Sequence, residues 1–424
     1  MHYPKLKEVF NNTQTHEKLT YLSLFLFPIA GPVIRSWNSF FFLTVTLLSF
    51  YYLKTRKERL PLLKEEIILL SAFISFFIIF IVTANLNGWN EFQTIELGNE
   101  LMFFWAFPIY LLIREHKYAL ELLFLGVLFS IPVIFIFSLY ELFYLQRTPL
   151  EGAYSQLFLG PIIGMSVLFY PEAYKVWFKN KNFSWIIYLA FGMSIFVIAF
   201  TYARTAYLTL IIGMIVLSLI YVKNIKYLSI SMIGISIIVG IMLTHPQVNY
   251  RVNDAINNVE QYFSNIENVS SGARQTSLGL RLEMWRASQY VIKEHPLFGI
   301  APANFPEFIE PYILKGEVNP GIRIAGTLHN TFVEVIVSKG IIGLILILII
   351  LYYPVYIAWK NRQKCKACFQ YFVIFSISLT TISMGLSNIV NKNNAVSYLV
   401  FFTAVFFSFM MRKLYPDKFS DNKK

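Results

Sequence analysis

Apolar residues dominate this chain in long uninterrupted runs separated by short polar breaks. About 20 apolar residues make a helix long enough to cross a bilayer, since each residue rises 1.5 Å. Such runs lie near residues 19–34, 37–53, 66–84, 97–113, 119–144, 154–170, 184–201, 205–222, 227–243, 333–359, 369–389 and 395–411. The pattern predicts twelve spanning helices in an all-α polytopic membrane protein. One stretch breaks the rhythm. Residues 244–328 open polar and continue through Gly- and Pro-punctuated segments, which predicts a loop domain outside the membrane. Within it, LRLEMWRASQYVIKEHP reads as an amphipathic helix stopped by Pro296. The chain thus divides into an N-terminal bundle over 1–243 with nine helices, the loop domain over 244–328, three C-terminal helices over 329–411 and a tail over 412–424.

Composition agrees with that picture. The chain is 56% hydrophobic and only 14% charged, where soluble domains carry roughly a quarter charged residues. Charge then sets orientation. With both termini in the cytoplasm, cytoplasmic segments hold 24 Lys and Arg, from Lys5, Lys7 and Lys18 through Lys54–Lys64 to Lys423 and Lys424. The short outer loops hold only Arg35, Arg147, Arg204 and Lys392, the asymmetry expected of a positive-inside protein. Much of the net charge of +12 is therefore topological, and nucleic acid is not an expected partner. Eight more basic residues lie in or just after the large loop: Arg251, Arg274, Arg281, Arg286, Lys293, Lys315, Arg323 and Lys339. Their charge is available for function. The polar first nineteen residues, and a first apolar run too long for a signal h-region, predict a retained anchor. Cys365 and Cys368, in the cytoplasmic loop KNRQKCKAC, are expected to be free reduced thiols.

The candidate chemistry is basic. Only three aspartates are present, with no DxD pair, P-loop, GxGxxG, HExxH or GxSxG, so no metal and no cofactor is expected. His245 and His295 each precede a proline, a common solvated position. His329 differs, because TLHNTFVEVIVSKG sets it at the mouth of an apolar run beside Asn330 and Glu334. Read as helical from the histidine, positions 329, 333, 336, 337 and 340 share one face. The alternative is a histidine that only bonds a loop carbonyl. Arg204, in AFTYARTAYLTL, sits at the outer end of two spans, where an arginine is either functional or snorkels to headgroups. Arg281 lies one turn before Trp285 in GLRLEMW and is either a ligand or a solvated helix charge. Two arginines and a histidine on one membrane surface suit a phosphate-bearing lipid. Guanidinium groups bind phosphate bidentately, and an imidazole can take a proton from a hydroxyl.

The segment GLRLEMWRASQYVIKEHPLFGIAPANF, followed by LHNTFVEVIVSKGIIG, resembles the signature of the bacterial O-antigen ligase and polymerase superfamily. That signature runs from an Arg-x-x-x-Trp helix through a Pro-x-x-Gly-x-Gly-like turn to a His-Asn-x-x-x-Glu helix. It covers roughly residues 270–345, TYARTAY resembles the family's upstream arginine segment, and the layout of spans fits the whole chain. One departure is Ala301, where a second glycine is common in the family, which suggests a slightly different turn. A second is the loop NLNGWNEFQTIE (85–96), which lacks the basic residue that members often carry early in the chain.

The resemblance implies a C-type glycosyltransferase-like fold in the bacterial inner membrane, its active site facing the periplasm. It implies glycan transfer from undecaprenyl diphosphate to lipid A–core without metal. By the same resemblance Arg204 and Arg281 hold the diphosphate, His329 activates the acceptor hydroxyl, and Asn330, Glu334, Trp285 and Arg323 support them. Polymerases and protein O-oligosaccharyltransferases share the motifs and stay open as alternatives. The ligase is favoured because a single large loop lies late in the chain. A non-enzymatic transporter of polyprenyl-linked glycans would instead keep charges deep within its spans, whereas the notable charges here are expected at the outer surface.

Overall fold

The computed structural model describes residues 13–56, 60–153, 155–178, 185–264, 276–324, 326–385, 390 and 392–419. Lys5, Lys7, Lys57, Arg59, Lys179, Lys181, Arg274, Lys423 and Lys424 of the charge count lie outside them, as do the predicted span ends at 154, 184 and 386–389. Each of the twelve predicted spans is a helix. In chain order these are α1 (Thr15–Ala30), α2 (Trp37–Thr55), α3 (Lys64–Leu86), α4 (Glu91–Glu115), α5 (Ala119–Leu139, continued by a π turn to Tyr144), α6 (Gln156–Phe178), α7 (Trp185–Thr201), α8 (Arg204–Tyr221) and α9 (Ile225–Thr244). After the loop domain come α13 (Thr331–Lys360), α14 (Lys366–Gly385) and α15 (Asn393–Leu414), then a short α16 (Pro416–Phe419). Among the described residues nine helices are long and apolar enough to cross a membrane; α1, α2 and the 17-residue α7 fall outside that set. Helices are the expected form, because a backbone in hydrocarbon must satisfy its own hydrogen bonds.

The loop domain contains α10 (Pro246–Ser264), α11 (Ser277–Glu294), α12 (Phe305–Leu314) and a 3-10 turn at Pro320–Ile324. It has a small core of its own, in which Met284, Ala287 and Val291 of α11 meet Phe305, Ile309, Ile322 and Leu328. Helix α10 is an addition to the sequence reading, which took this segment as a polar opening. The cue was there. Val248, Val252, Ala255, Val259 and Tyr262 recur at spacings of four and three, an apolar stripe on a mostly polar helix.

A broken helix joins the loop domain to the membrane bundle. Within α13, Gly340 adopts φ 63°, ψ −166°, and the helical ladder is interrupted there. The turn 296–301 fills the gap: Ile341 N–H donates to Pro296 O (2.9 Å), Ile300 N–H to Val337 O (2.9 Å) and Ala301 N–H to Ser338 O (3.0 Å). Backbone groups freed by the break are thus satisfied by the inserted turn rather than left bare. A side chain at Gly340 is excluded twice, by the positive φ and by Leu297 O, 2.1 Å from where a Cβ would sit. Ala301 itself has φ 66°. The turn therefore places an alanine in the left-handed region that a glycine would favour.

Two expectations are corrected. Charges are not confined to the outer surface, because Lys339 Nζ bonds Glu100 Oε1 at 2.6 Å with both side chains 1% exposed, beside the break. Arg114 and Glu66 form a second buried pair at 2.6 Å, joined by the Tyr110 hydroxyl. Such pairs survive desolvation because each charge has a matched partner. Cys365 and Cys368 are not free thiols either; they form a disulfide at the start of α14, where a three-residue spacing brings their Cα atoms within 5.3 Å.

Candidate functional site

His329 sits two residues before α13 rather than on it. Asn330 is the helix N-cap, its side-chain oxygen accepting from the N–H groups of Phe332 and Val333. The expected stripe through 329, 333, 336, 337 and 340 therefore does not begin at the histidine, which has a left-handed φ of 53°. That conformation is uncommon for a residue with a Cβ, and the neighbouring Leu328 shows what enforces it. The Leu328 N–H donates to Glu334 Oε2 (2.8 Å), and the Trp285 indole N–H donates to Leu328 O (2.8 Å). One residue is thus pinned from both sides, by α13 and by α11. Trp285 and Glu334 act as positioning residues for the backbone that carries His329. Burial and the nearby Arg281 charge push the His329 pKa below its ordinary value, so the imidazole is neutral near pH 7.

Arg281 lies one turn before Trp285 on α11, half-buried. Burial and the Arg204 charge hold its guanidinium below the ordinary arginine value, and no described carboxylate opposes them. Arg204 opens α8. Its neighbourhood is fixed by the close approach of α14, since a Cβ on Gly385 would lie 2.2 Å from Thr205 Cγ2. The Arg204 guanidinium meets Asp254 Oδ2 of α10 at 2.6 Å, each side chain 31% exposed. Helix α10 is tied to α11 in turn, the Tyr262 hydroxyl donating to the buried Glu283 carboxylate, which also takes a bidentate contact from Arg286.

These elements enclose a cavity of about 220 Å³ whose wall includes Arg204, Arg281, Arg251, Tyr202, Gln156 and Ser277. Arg251 was counted in the sequence without a role; its place here depends on α10, which was not foreseen. Arg204 and Arg251 also line an adjoining groove of about 370 Å³ between α8, α9 and α10, otherwise apolar, with Leu208, Ile211, Val239 and Val252. Arg323 is elsewhere. It pairs bidentately with Glu310 of α12 at 2.7 Å and lines neither space. The sequence-derived set thus separates into a cavity pair (Arg204, Arg281), a histidine with its supports (His329, Asn330, Glu334, Trp285) and an outlying Arg323.

Residues 189–348 match the family model described as O-antigen ligase. That span contains Arg204, Arg281, Trp285, His329, Asn330 and Glu334. A protein of Escherichia coli K12 named O-antigen ligase is 24% identical over 253 residues, 57% of this chain and 54% of that protein. Over its loop domain and the flanking spans the chain is similar to O-antigen ligases. An uncharacterized protein of Haemophilus influenzae is also 24% identical, over 319 residues covering 72% of this chain and 76% of its own length. The matched region spans about half of the E. coli ligase, and the family model matches only residues 189–348, the loop domain and the spans that flank it.

Proposed function

We propose that this protein transfers an O-antigen glycan from undecaprenyl diphosphate to a hydroxyl of lipid A–core oligosaccharide, at the periplasmic face of the inner membrane. The observation that carries the reading is the junction of the arginine-walled cavity and the apolar groove, with Arg204 and Arg251 shared between them. An amphiphile with a polyprenyl tail and a diphosphate head matches that pairing. Arg204, Arg251 and Arg281 bind the diphosphate and stabilise the negative charge that grows on it as it leaves. Asp254 holds Arg204 until the donor's phosphate replaces it. The acceptor oxygen attacks the anomeric carbon, the bond from that carbon to the phosphate oxygen breaks, and the neutral His329 takes the hydroxyl proton. A depressed pKa serves that role, since the imidazole is already free to accept. Charge stabilisation falls to the arginines.

The test is reconstitution of the purified protein with undecaprenyl-diphosphate glycan, offering lipid A–core, a second donor or a peptide as acceptor. Glycan on lipid A–core, lost in His329→Ala with donor binding retained, is the expected result. Lengthened donor makes the protein a polymerase, glycosylated peptide makes it a protein transferase, and donor movement without transfer makes it a transporter. Each of those overturns the proposal.

A further inference from the structure

The ends of α11 face two different spaces. Arg281 near its start looks onto the arginine cavity, while Glu294 and His295 at its end line an open recess of about 330 Å³. Leu86 and Asn87 from the end of α3 and the turn Pro296–Gly299 complete its wall. The two spaces differ in chemistry. Among the described residues the recess has no cation in its wall, and it offers a carboxylate, an imidazole and an amide, beside apolar side chains that stay in the open: Leu86 is 64% exposed, Leu297 55% and Phe298 37%. Its frame is rigid, because Asn87 bonds Gly299 O and the same turn is stitched into α13 at Gly340. A row of rings extends the recess outward. His295 packs edge-on against Phe308 (5.5 Å), Phe308 stacks on Tyr312 (6.1 Å), and Tyr312 meets Tyr290 (4.1 Å), with the Tyr312 hydroxyl donating to Glu294.

A wall of this kind repels phosphate and suits a hydroxylated ring. Saccharide C–H faces pack on exposed aromatic and aliphatic surface, while ring hydroxyls donate to a carboxylate that has acceptor positions to spare. We infer that the recess at the end of α11 binds the saccharide of the acceptor glycolipid. The inference rests on the transfer reaction proposed above and assigns its second substrate a place. The side is decided by geometry: phosphate-binding groups occupy the start of α11, Trp285 holds the His329 loop near its middle, and the recess lies nine residues further, roughly 14 Å along the axis at 1.5 Å per residue. The exposed Leu86, Leu297 and Phe298 at its rim give a membrane-anchored acceptor an apolar approach, separate from the groove between α8 and α10.

Steady-state transfer in nanodiscs tests this, with lipid A–core and undecaprenyl-diphosphate glycan varied in turn, on the wild type, Phe298→Ala and Glu294→Gln. The expected result is an apparent KM for lipid A–core raised about tenfold in each variant, the loss of one good contact, with the donor KM and the saturated rate unchanged. A raised donor KM places the donor glycan there and overturns the assignment, as does no change in either constant. A second measurement is independent of turnover. Core oligosaccharide freed of lipid A by mild acid is titrated onto wild type, His329→Ala and Phe298→Ala. Binding retained in His329→Ala and weakened in Phe298→Ala supports the recess even if the transfer reaction proves to be another one. Equal binding by all three sinks it even if transfer is confirmed.

Discussion

Replacing Glu334 with alanine isolates the clamp on Leu328 from the chemistry of His329. The Glu334 carboxylate is buried and accepts the Leu328 N–H at 2.8 Å. A hydrogen bond to a charged group contributes about 1.5–3 kcal/mol. The left-handed backbone at His329 costs about 1–2 kcal/mol for a residue with a Cβ, so the bond and the strain it opposes are of similar size. Without the bond the loop relaxes and the imidazole leaves its place. If the full contribution is felt in the transition state, kcat falls roughly 10- to 150-fold at about 1.4 kcal/mol per factor of ten. Glu334→Gln keeps an acceptor oxygen but not the charge, so about 1 kcal/mol is lost and kcat falls about fivefold. Donor affinity stays at the wild-type value in both, because the arginines belong to α8, α10 and α11. The assay is transfer rate at saturating substrates beside a donor titration. An unchanged rate in Glu334→Ala refutes the clamp. Equal damage in the glutamine variant refutes it too, since the carboxylate would then be needed for more than the Leu328 bond.

Two further outcomes follow from the same geometry. Because burial and Arg281 both depress the His329 pKa, the acid limb of a kcat/KM profile lies below pH 6.5; Arg281→Gln removes a like charge that opposes protonation, so the limb moves up toward 6.5. At the broken helix two of the positive-φ positions, Ala301 and Gly340, respond in opposite directions in a detergent melt. Ala301→Gly relieves strain and stabilises by up to about 1 kcal/mol, whereas Gly340→Ala destabilises by about 3 kcal/mol or more through strain and the clash with Leu297 O.

The membrane architecture was legible because hydrocarbon imposes one period and one length, and all twelve apolar runs are helices. Arg204 and His329 stood out for a related reason, since polar groups at the edge of an apolar run need an account, while Arg281 and Trp285 stood out through their spacing in the motif GLRLEMW. What the sequence could not convey is where a side chain finds a partner far along the chain. Nothing local says that Trp285 and Glu334 meet on Leu328, or that the turn after Pro296 completes the ladder of α13. Arg251 was hidden because α10 is polar outside its narrow stripe, and a polar segment after a span reads as loop. Arg323 shows the converse: a basic residue between two motifs gains interest from proximity in sequence, yet its partner Glu310 turns it elsewhere.

The turn stitched into α13 has a mechanical consequence. An outer domain hung from a spanning helix by a flexible loop could tilt and rise above the bilayer, but three backbone hydrogen bonds through the helix at Gly340, with the Lys339–Glu100 pair just beneath, leave it no such freedom. His329, carried on this junction, is therefore held at a fixed place relative to the spanning helices. A lipid-borne partner presents each of its hydroxyls at an altitude set by the sugars beneath it. In the transfer reaction proposed above, selection among chemically similar hydroxyls would then be made by height alone, with the bilayer as the datum.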